Sequence, residues 1–308
     1  MITVSSLFYA PIKSAGGRWV NKGGSGLSVG PRGFDYDRRW VVVGEGNMFV
    51  AQRRASLPVP LPGAVVDALT PLGLGIEVRI LCQVQPTLFY DELLVHAPNM
   101  RSLHLPLAGK KGMEEKITVW RDRELLAIDQ GDEAASWFSE FLSRERPGEY
   151  RLMRMTDGCQ RQSKGGTALQ GFHDGYPFMM ISDESLGDLN RRLHEKHFAP
   201  LPANRFRPDI WLRGCPPYYE DRLRRIRIGD VIFDGKALCD RCPITCIDQV
   251  TAVRGKEPLV TLATYRRGRD KDVSVFEKPN AVFFGRYFDH QNSGVVMVGD
   301  EVEILEMD

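Results

Sequence analysis

No apolar run in this 308-residue chain approaches the roughly 18 residues that a membrane-spanning helix needs, so no membrane span is expected. The start, Met1 to Ala10, lacks the charged opening and apolar stretch of a secretion signal and reads as a strand running into Pro11 and Lys13. Cysteine is scarce. Cys82, Cys159, Cys215, Cys239, Cys242 and Cys246 are too few and too clumped for a disulfide scaffold, and a reduced, cytoplasmic setting fits better. Neither sign of charge dominates: 41 Lys plus Arg against 40 Asp plus Glu leave +1, which argues against a nucleic-acid or anionic-membrane surface protein. Tandem repeats and low-complexity segments are absent, and 43 % hydrophobic with 26 % charged residues excludes wholesale disorder. No Gly-x-Gly-x-x-Gly fingerprint marks a flavin or nicotinamide site.

What is present is a β-rich α+β chain long enough for two packed domains. Short β-branched runs between Gly and Pro turns predict strands at Ile2 to Tyr9, Trp40 to Val43, Gly75 to Leu81 and Leu93 to His96, which together suggest a small sheet or barrel. Gly16, Gly17, Gly23, Gly24 and Gly26 fit a loop between the first two strands. A helix capped by Asp132 follows, with Ala134, Ala135, Trp137, Phe138, Phe141 and Leu142 on one face. A second runs from Ser182 to about Lys196, with Leu186, Leu189 and Leu193 aligned. Further strands are expected at Asp209 to Arg213, Arg224 to Phe233, Leu259 to Tyr265 and Gly294 to Leu305. We place an N-terminal β-barrel domain with a helical bridge at 1–145 and a C-terminal barrel with peripheral helices at 146–308, the border falling between about Glu133 and Arg161.

The sharpest chemical signal is Cys239-Asp240-Arg241-Cys242, with Cys246 beyond it. Paired thiols suit a metal site, a redox dithiol, or one thiolate ligand with a spectator neighbour. Zinc and a four-cysteine iron–sulfur cluster both lack ligands, since only Cys215 could join and the histidines show no ligand spacing. A thioredoxin-like pair would open a helix, whereas Pro243, Ile244, Thr245 and Ile247 lead toward a strand. Cysteines that merely pack are common, but packing does not account for an arginine between them. Lys13, Arg38, Arg205, Arg207 and Arg241 lie in loop-like positions, and arginines beside a strand terminus can clamp a phosphate.

Six motifs occur in order: Pro11-Ile12-Lys13-Ser14, Asp37-Arg38-Arg39-Trp40, His173-Asp174-Gly175-Tyr176-Pro177, Arg205-Phe206-Arg207-Pro208-Asp209, Cys239-Asp240-Arg241-Cys242 and Phe284-Gly285-Arg286-Tyr287. From about Ile2 to Leu305 the series resembles the MOSC-domain proteins with their N-terminal β-barrel domain, and within them the amidoxime-reducing component and its bacterial relatives that reduce N-hydroxylated compounds. The resemblance implies a molybdopterin-type molybdenum cofactor with Cys242 as metal ligand and catalytic centre, and Cys239 as a neighbour that does not ligate. A soft thiolate suits molybdenum. Lys13, Ser14, Arg38 and Arg207 match residues that hold the phosphate and pterin, and Asp240, Arg241, Tyr287, Asp174 and Tyr176 match further cofactor contacts. The implied reaction is a molybdenum-dependent two-electron reduction of N–OH to N–H on small N-hydroxylated substrates. No flavin, haem or iron–sulfur cluster is expected in this chain, so a separate haem or iron–sulfur donor protein would supply the electrons. The stretch Arg222, Arg224, Arg225, Arg227 is one candidate docking patch for it. MOSC domains also occur fused to molybdenum-cofactor sulfurases, so a cofactor carrier or sulfur-transfer module without reductase activity is the alternative. Two departures stand out: Asp209 where relatives commonly have Asn, and Thr245-Cys246 where a Thr-Thr pair is usual.

Overall fold

The computed structural model describes residues 1–21, 26–53, 75–109, 112–270 and 278–308; Gly23 and Gly24 of the expected glycine loop lie outside these. Strands dominate, as the short β-branched runs imply. Five of them close into a barrel: Glu114–Val119, Asp122–Asp129, Arg151–Met155, Trp40–Gly44 and Met48–Ala51, with Thr118 opposite Met48 sealing the ring. Closure removes the open edges that an isolated sheet would leave. Trp40, Phe49 and Leu152 fill its core. The helix Asp132–Leu142 (α1) covers it with all six of its expected apolar residues buried. Its cap differs from expectation. Gly131 takes that position, and Asp132 inside the first turn is free to pair with Arg151.

The second unit is a curled eight-stranded sheet in the order Arg18–Val20, Thr3–Tyr9, Ile210–Arg213, Phe178–Ser182, Phe283–His290, Val231–Asp240, Leu223–Ile228, Val302–Met307. Only Phe178–Ser182 and Ile210–Arg213 pair in parallel, and the helix Asp183–Glu195 (α2) makes that crossover. Ser182 caps α2 as expected, its hydroxyl accepting from Ser185 N at 3.1 Å. Strands cross residue 145 in both directions. Thr3–Tyr9 and Arg18–Val20 belong to the C-terminal sheet, and Arg151–Met155 completes the N-terminal barrel.

Several strand expectations resolve differently. Arg224 to Phe233 and Gly294 to Leu305 each contain a turn and form two strands. Gly75 to Leu81 gives only Ile76–Glu77 followed by a 3-10 turn, Arg79–Gln83. Leu259 to Tyr265 opens with a helical turn, Leu259–Leu262, where Glu257 Oε2 accepts from Thr261 N at 3.0 Å. Pro243–Cys246 is likewise a 3-10 turn rather than a strand, since Pro243 at its first position needs no donor there. Among the described residues no helix is long and apolar enough to cross a membrane.

Candidate functional site

The site gathers where the barrel meets the C-terminal sheet. Strand Val231–Asp240 ends in the motif, and Cys242 precedes the 3-10 turn. Five of the six cysteines are buried; Cys242 alone is half-exposed. Cys239 is enclosed by Arg241, whose Nη1 donates to its sulfur at 2.9 Å, and by the Tyr287 hydroxyl. Burial pushes the Cys239 thiol up despite these partners. Burial and Cys239 likewise raise Tyr287 well above the ordinary phenol, so it keeps its proton. Tyr176 stacks on Tyr287 with ring centroids 5.0 Å apart. Cys246 faces the packed interior and donates to Lys256 O at 3.3 Å.

Lys13 enters from the loop after the first strand. Its buried ammonium donates to Phe172 O at 2.8 Å and pairs with Asp174. Burial lowers Lys13 to about 8, against the pull of Asp174. The surroundings of Asp174 oppose its charge too, yet Lys13, Arg53 and the Trp120 indole outweigh them and hold the carboxyl well below its usual range. Trp120 Nε1 donates to Asp174 at 2.8 Å. Ser14 adopts φ +63 and its carbonyl accepts from Gln52 Nε2 at 2.6 Å.

Beneath these lies a buried charge network. Arg38 pairs with both Asp37 and Asp209, and its Nη2 reaches Arg207 O at 3.5 Å. Asp37 also accepts from His173 Nε2 at 2.8 Å and from Ala10 N at 2.6 Å. Asp209 takes Met179 N at 2.7 Å. The carboxylates of Asp37 and Asp209 and a ring nitrogen of His173 lie within 4.8 Å of one another. Both acids already hold Arg38, so the cluster reads as a neutralised network rather than a metal site. The charge of Asp209 is therefore met from within. Burial, despite Arg38, raises its carboxyl to about 7.

Arg207 adopts φ +55, donates to Ala15 O and is lowered to about 10, mainly by burial. Its Nη2 is buried with no partner, and so is Arg241 Nε. Two expected members stand apart. The Asp240 carboxylate is exposed and pairs with Lys278 at 3.0 Å, while Arg205 is committed to Asp248 at 2.8 Å. The arginine patch at 222–227 is also committed: Arg222 bonds Asp308 O, Arg224 pairs with Asp308, Arg225 with Asp234 and Arg227 with Glu303.

The MOSC N-terminal beta barrel domain matches residues 80–145 and the MOSC domain residues 169–303. Mouse mitochondrial amidoxime-reducing component 1 is 31 % identical over 98 % of this chain and 82 % of its own length. The chain belongs to the MOSC-domain family. The human counterpart of the mouse protein is 30 % identical over 98 % of this chain and 83 % of its own. Rice molybdenum cofactor sulfurase is 30 % identical over 88 % of this chain, which spans 31 % of that larger protein. This MOSC protein also brings to the site two residues that no sequence motif marked, Arg53 and Trp120, both from the barrel. Neither lies in or beside a strand expected from the sequence, and a lone tryptophan or arginine is too common to single out.

Proposed function

We propose that this protein is a molybdenum-cofactor-dependent reductase of N-hydroxylated compounds. The observation that carries the proposal is Cys242, the one cysteine left half-exposed, at the mouth of a site rich in cations. The residues present fit an anionic, sulfur-rich cofactor. Arg207 and Arg241 have only neutral partners, and each keeps a buried N–H with none at all. When bound, the cofactor would supply the two-electron chemistry that removes oxygen from an N–OH group.

Cys242 would ligate the metal. Arg207, Lys13 and Ser14 would hold the phosphate and pterin, with Arg38 steadying Arg207 from below through its carbonyl. Arg241, Tyr287, Tyr176 and Asp174 would complete the cradle, whereas Asp240, exposed and paired with Lys278, would lie outside it. Asp174 is held ionised and is no proton donor at neutral pH, so its part is to fix Lys13 and Trp120. Electrons would come from a separate haem or iron–sulfur protein. The likeness to the rice sulfurase supports a second reading, a cofactor carrier or sulfur-transfer module.

The test is to produce the chain in a host that makes molybdopterin, assay bound molybdenum, and supply reduced viologen with benzamidoxime. Stoichiometric molybdenum with amidine formation is expected, and Cys242→Ser should lower turnover by more than about 100-fold. Cys239→Ser should be far milder. Molybdenum without reduction would favour the carrier, and no molybdenum would end both readings.

A further inference from the structure

We infer that Arg32, Arg39 and Arg154 form a second anion site, separate from the one at Cys242, that holds a phosphate group. The inference stands outside the reductase reading. None of the three arginines shares a bonding partner with Lys13, Arg207 or Arg241.

Three stretches of chain bring them together. Arg32 occupies the turn between Leu27–Gly30 and Gly33–Phe34. Arg39 leads into the barrel strand Trp40–Gly44, and Arg154 lies in the neighbouring strand Arg151–Met155, opposite Trp40 in register. Met155 N donates to Arg39 O at 2.9 Å, and the chain beyond it brings Asp157 to the other two elements. There Arg32 Nη2 donates to Asp157 O at 2.8 Å, and Arg39 Nη2 to Asp157 Oδ1 at 2.5 Å. Arg38, one residue earlier, instead joins Asp37 and Asp209 in the buried network.

What marks the cluster is positive charge left unanswered. Arg32 is 8 % exposed, and its Nη1 is buried with no partner. Arg154 joins no ion pair among the described residues, and its Nε is likewise buried without a partner. Its stem rests against Gly109, where a Cβ would lie 2.8 Å from Arg154 Cδ. Burial first, and Arg39 next, lower both Arg32 and Arg154 below the ordinary arginine. The acid they share is Asp157, whose carboxylate is 83 % exposed. The Arg39 hydrogen bond, with Arg154 and Arg32 behind it, holds that carboxyl below its usual range.

Charge and shape decide the ligand class. Three guanidinium groups against the Asp157 carboxylate leave two positive charges over. A phosphate group carries about −1.5 to −2 at neutral pH and offers three or more oxygens to planar N–H forks. A second carboxylate would match neither the charge nor the number of donors. Free phosphate and the phosphate of a small ester share this chemistry.

Equilibrium dialysis of the full-length chain against radiolabelled inorganic phosphate tests the site. The cradle at Cys242 can also take phosphate, so the binding that survives Arg207→Gln is the component followed. In that background Arg39→Gln and Arg154→Gln should each weaken binding by about fivefold or more, and Arg154→Lys should keep most of it. Asp157→Asn removes the competing carboxylate and should tighten binding by about threefold or more, a gain that damage to the fold cannot produce. No surviving component, or one that Arg39→Gln and Arg154→Gln leave unchanged, would overturn the inference. Should those variants fold poorly by circular dichroism, Asp157→Asn decides, since an exposed side chain is changed and binding no tighter than before would sink the site. Displacement of the label by glycerol 3-phosphate at a lower concentration than by unlabelled phosphate would support an ester as the occupant, and the reverse order would support free phosphate.

Discussion

His173 shows how much of the site depends on single protonation states. Burial, aided by Arg38, lowers it to about 4 against the pull of Asp37, so it is neutral and donates an Nε2–H hydrogen bond to that carboxylate. A histidine whose folded pKa is depressed adds stability that is fully present above pH 6.5 and is lost as pH falls toward 4. Asp209 works in the opposite sense, its raised carboxyl favouring the folded state as pH drops through about 7. The two effects overlap, so wild-type stability alone would show little. The difference between wild type and His173→Gln isolates the histidine: it should be largest at pH 7 and shrink by up to about 3 kcal/mol by pH 4.5, read from urea unfolding at several pH values. A constant difference would mean that folding leaves the affinity of His173 for a proton unchanged. At this scale the sequence marked residues wherever a local motif existed, though Asp240 and Arg205, both in such motifs, stand apart from the others. Cys242, Arg207 and Lys13 stand in short runs whose order along the chain is distinctive. Arg53 and Trp120 stand in none, because their relation to Cys242 arises only when the barrel closes and docks.

Among the elements, the strand Phe283–His290 is the most sharply constrained. Gly285 sits at φ +84, where pairing with Val231–Asp240 slips in register between Leu238 and Asp240. A Cβ there would lie 2.6 Å from Ile181 Cγ1 and 2.9 Å from Met180 O. Gly285→Ala should therefore cost about 2–4 kcal/mol in unfolding free energy, from backbone strain and overpacking together. It should also disturb Tyr287 two residues on, so the molybdenum content of protein made with cofactor should fall as well. Wild-type stability in that variant would show that the strand can absorb a side chain. Helices were the most legible elements, since the apolar face of α1 and the Ser182 cap of α2 each specify one answer. Leu259 to Tyr265 was misread because a short apolar run fits a strand and a buried helical turn equally well. Pro258 and the Glu257 carboxylate, which decide for the turn, act through hydrogen bonds that no hydrophobic pattern records.

Over the whole molecule, the two units are laced by exchanged strands. A fragment of residues 1–145 would lack Arg151–Met155 and leave the barrel open between Asp122–Asp129 and Trp40–Gly44. A fragment of 146–308 would lose Thr3–Tyr9 and bare the edge of Ile210–Arg213. Gln52 and Gln249 add a reciprocal amide pair across the contact, at 3.3 and 3.1 Å. The intact chain should unfold in one transition, and each fragment alone should aggregate, as size-exclusion chromatography and circular dichroism would show. Soluble, folded fragments would mean that the crossing strands are dispensable.

The same lacing bears on inheritance. A gene that gains or loses one of these units by a single cut at residue 145 would receive a barrel missing a stave and a sheet missing a strand. Cut as one piece, the pair keeps every stave and strand, and the rice sulfurase is matched along most of this chain inside a protein about three times as long. What looks like two modules along the sequence is, for recombination, a single heritable part.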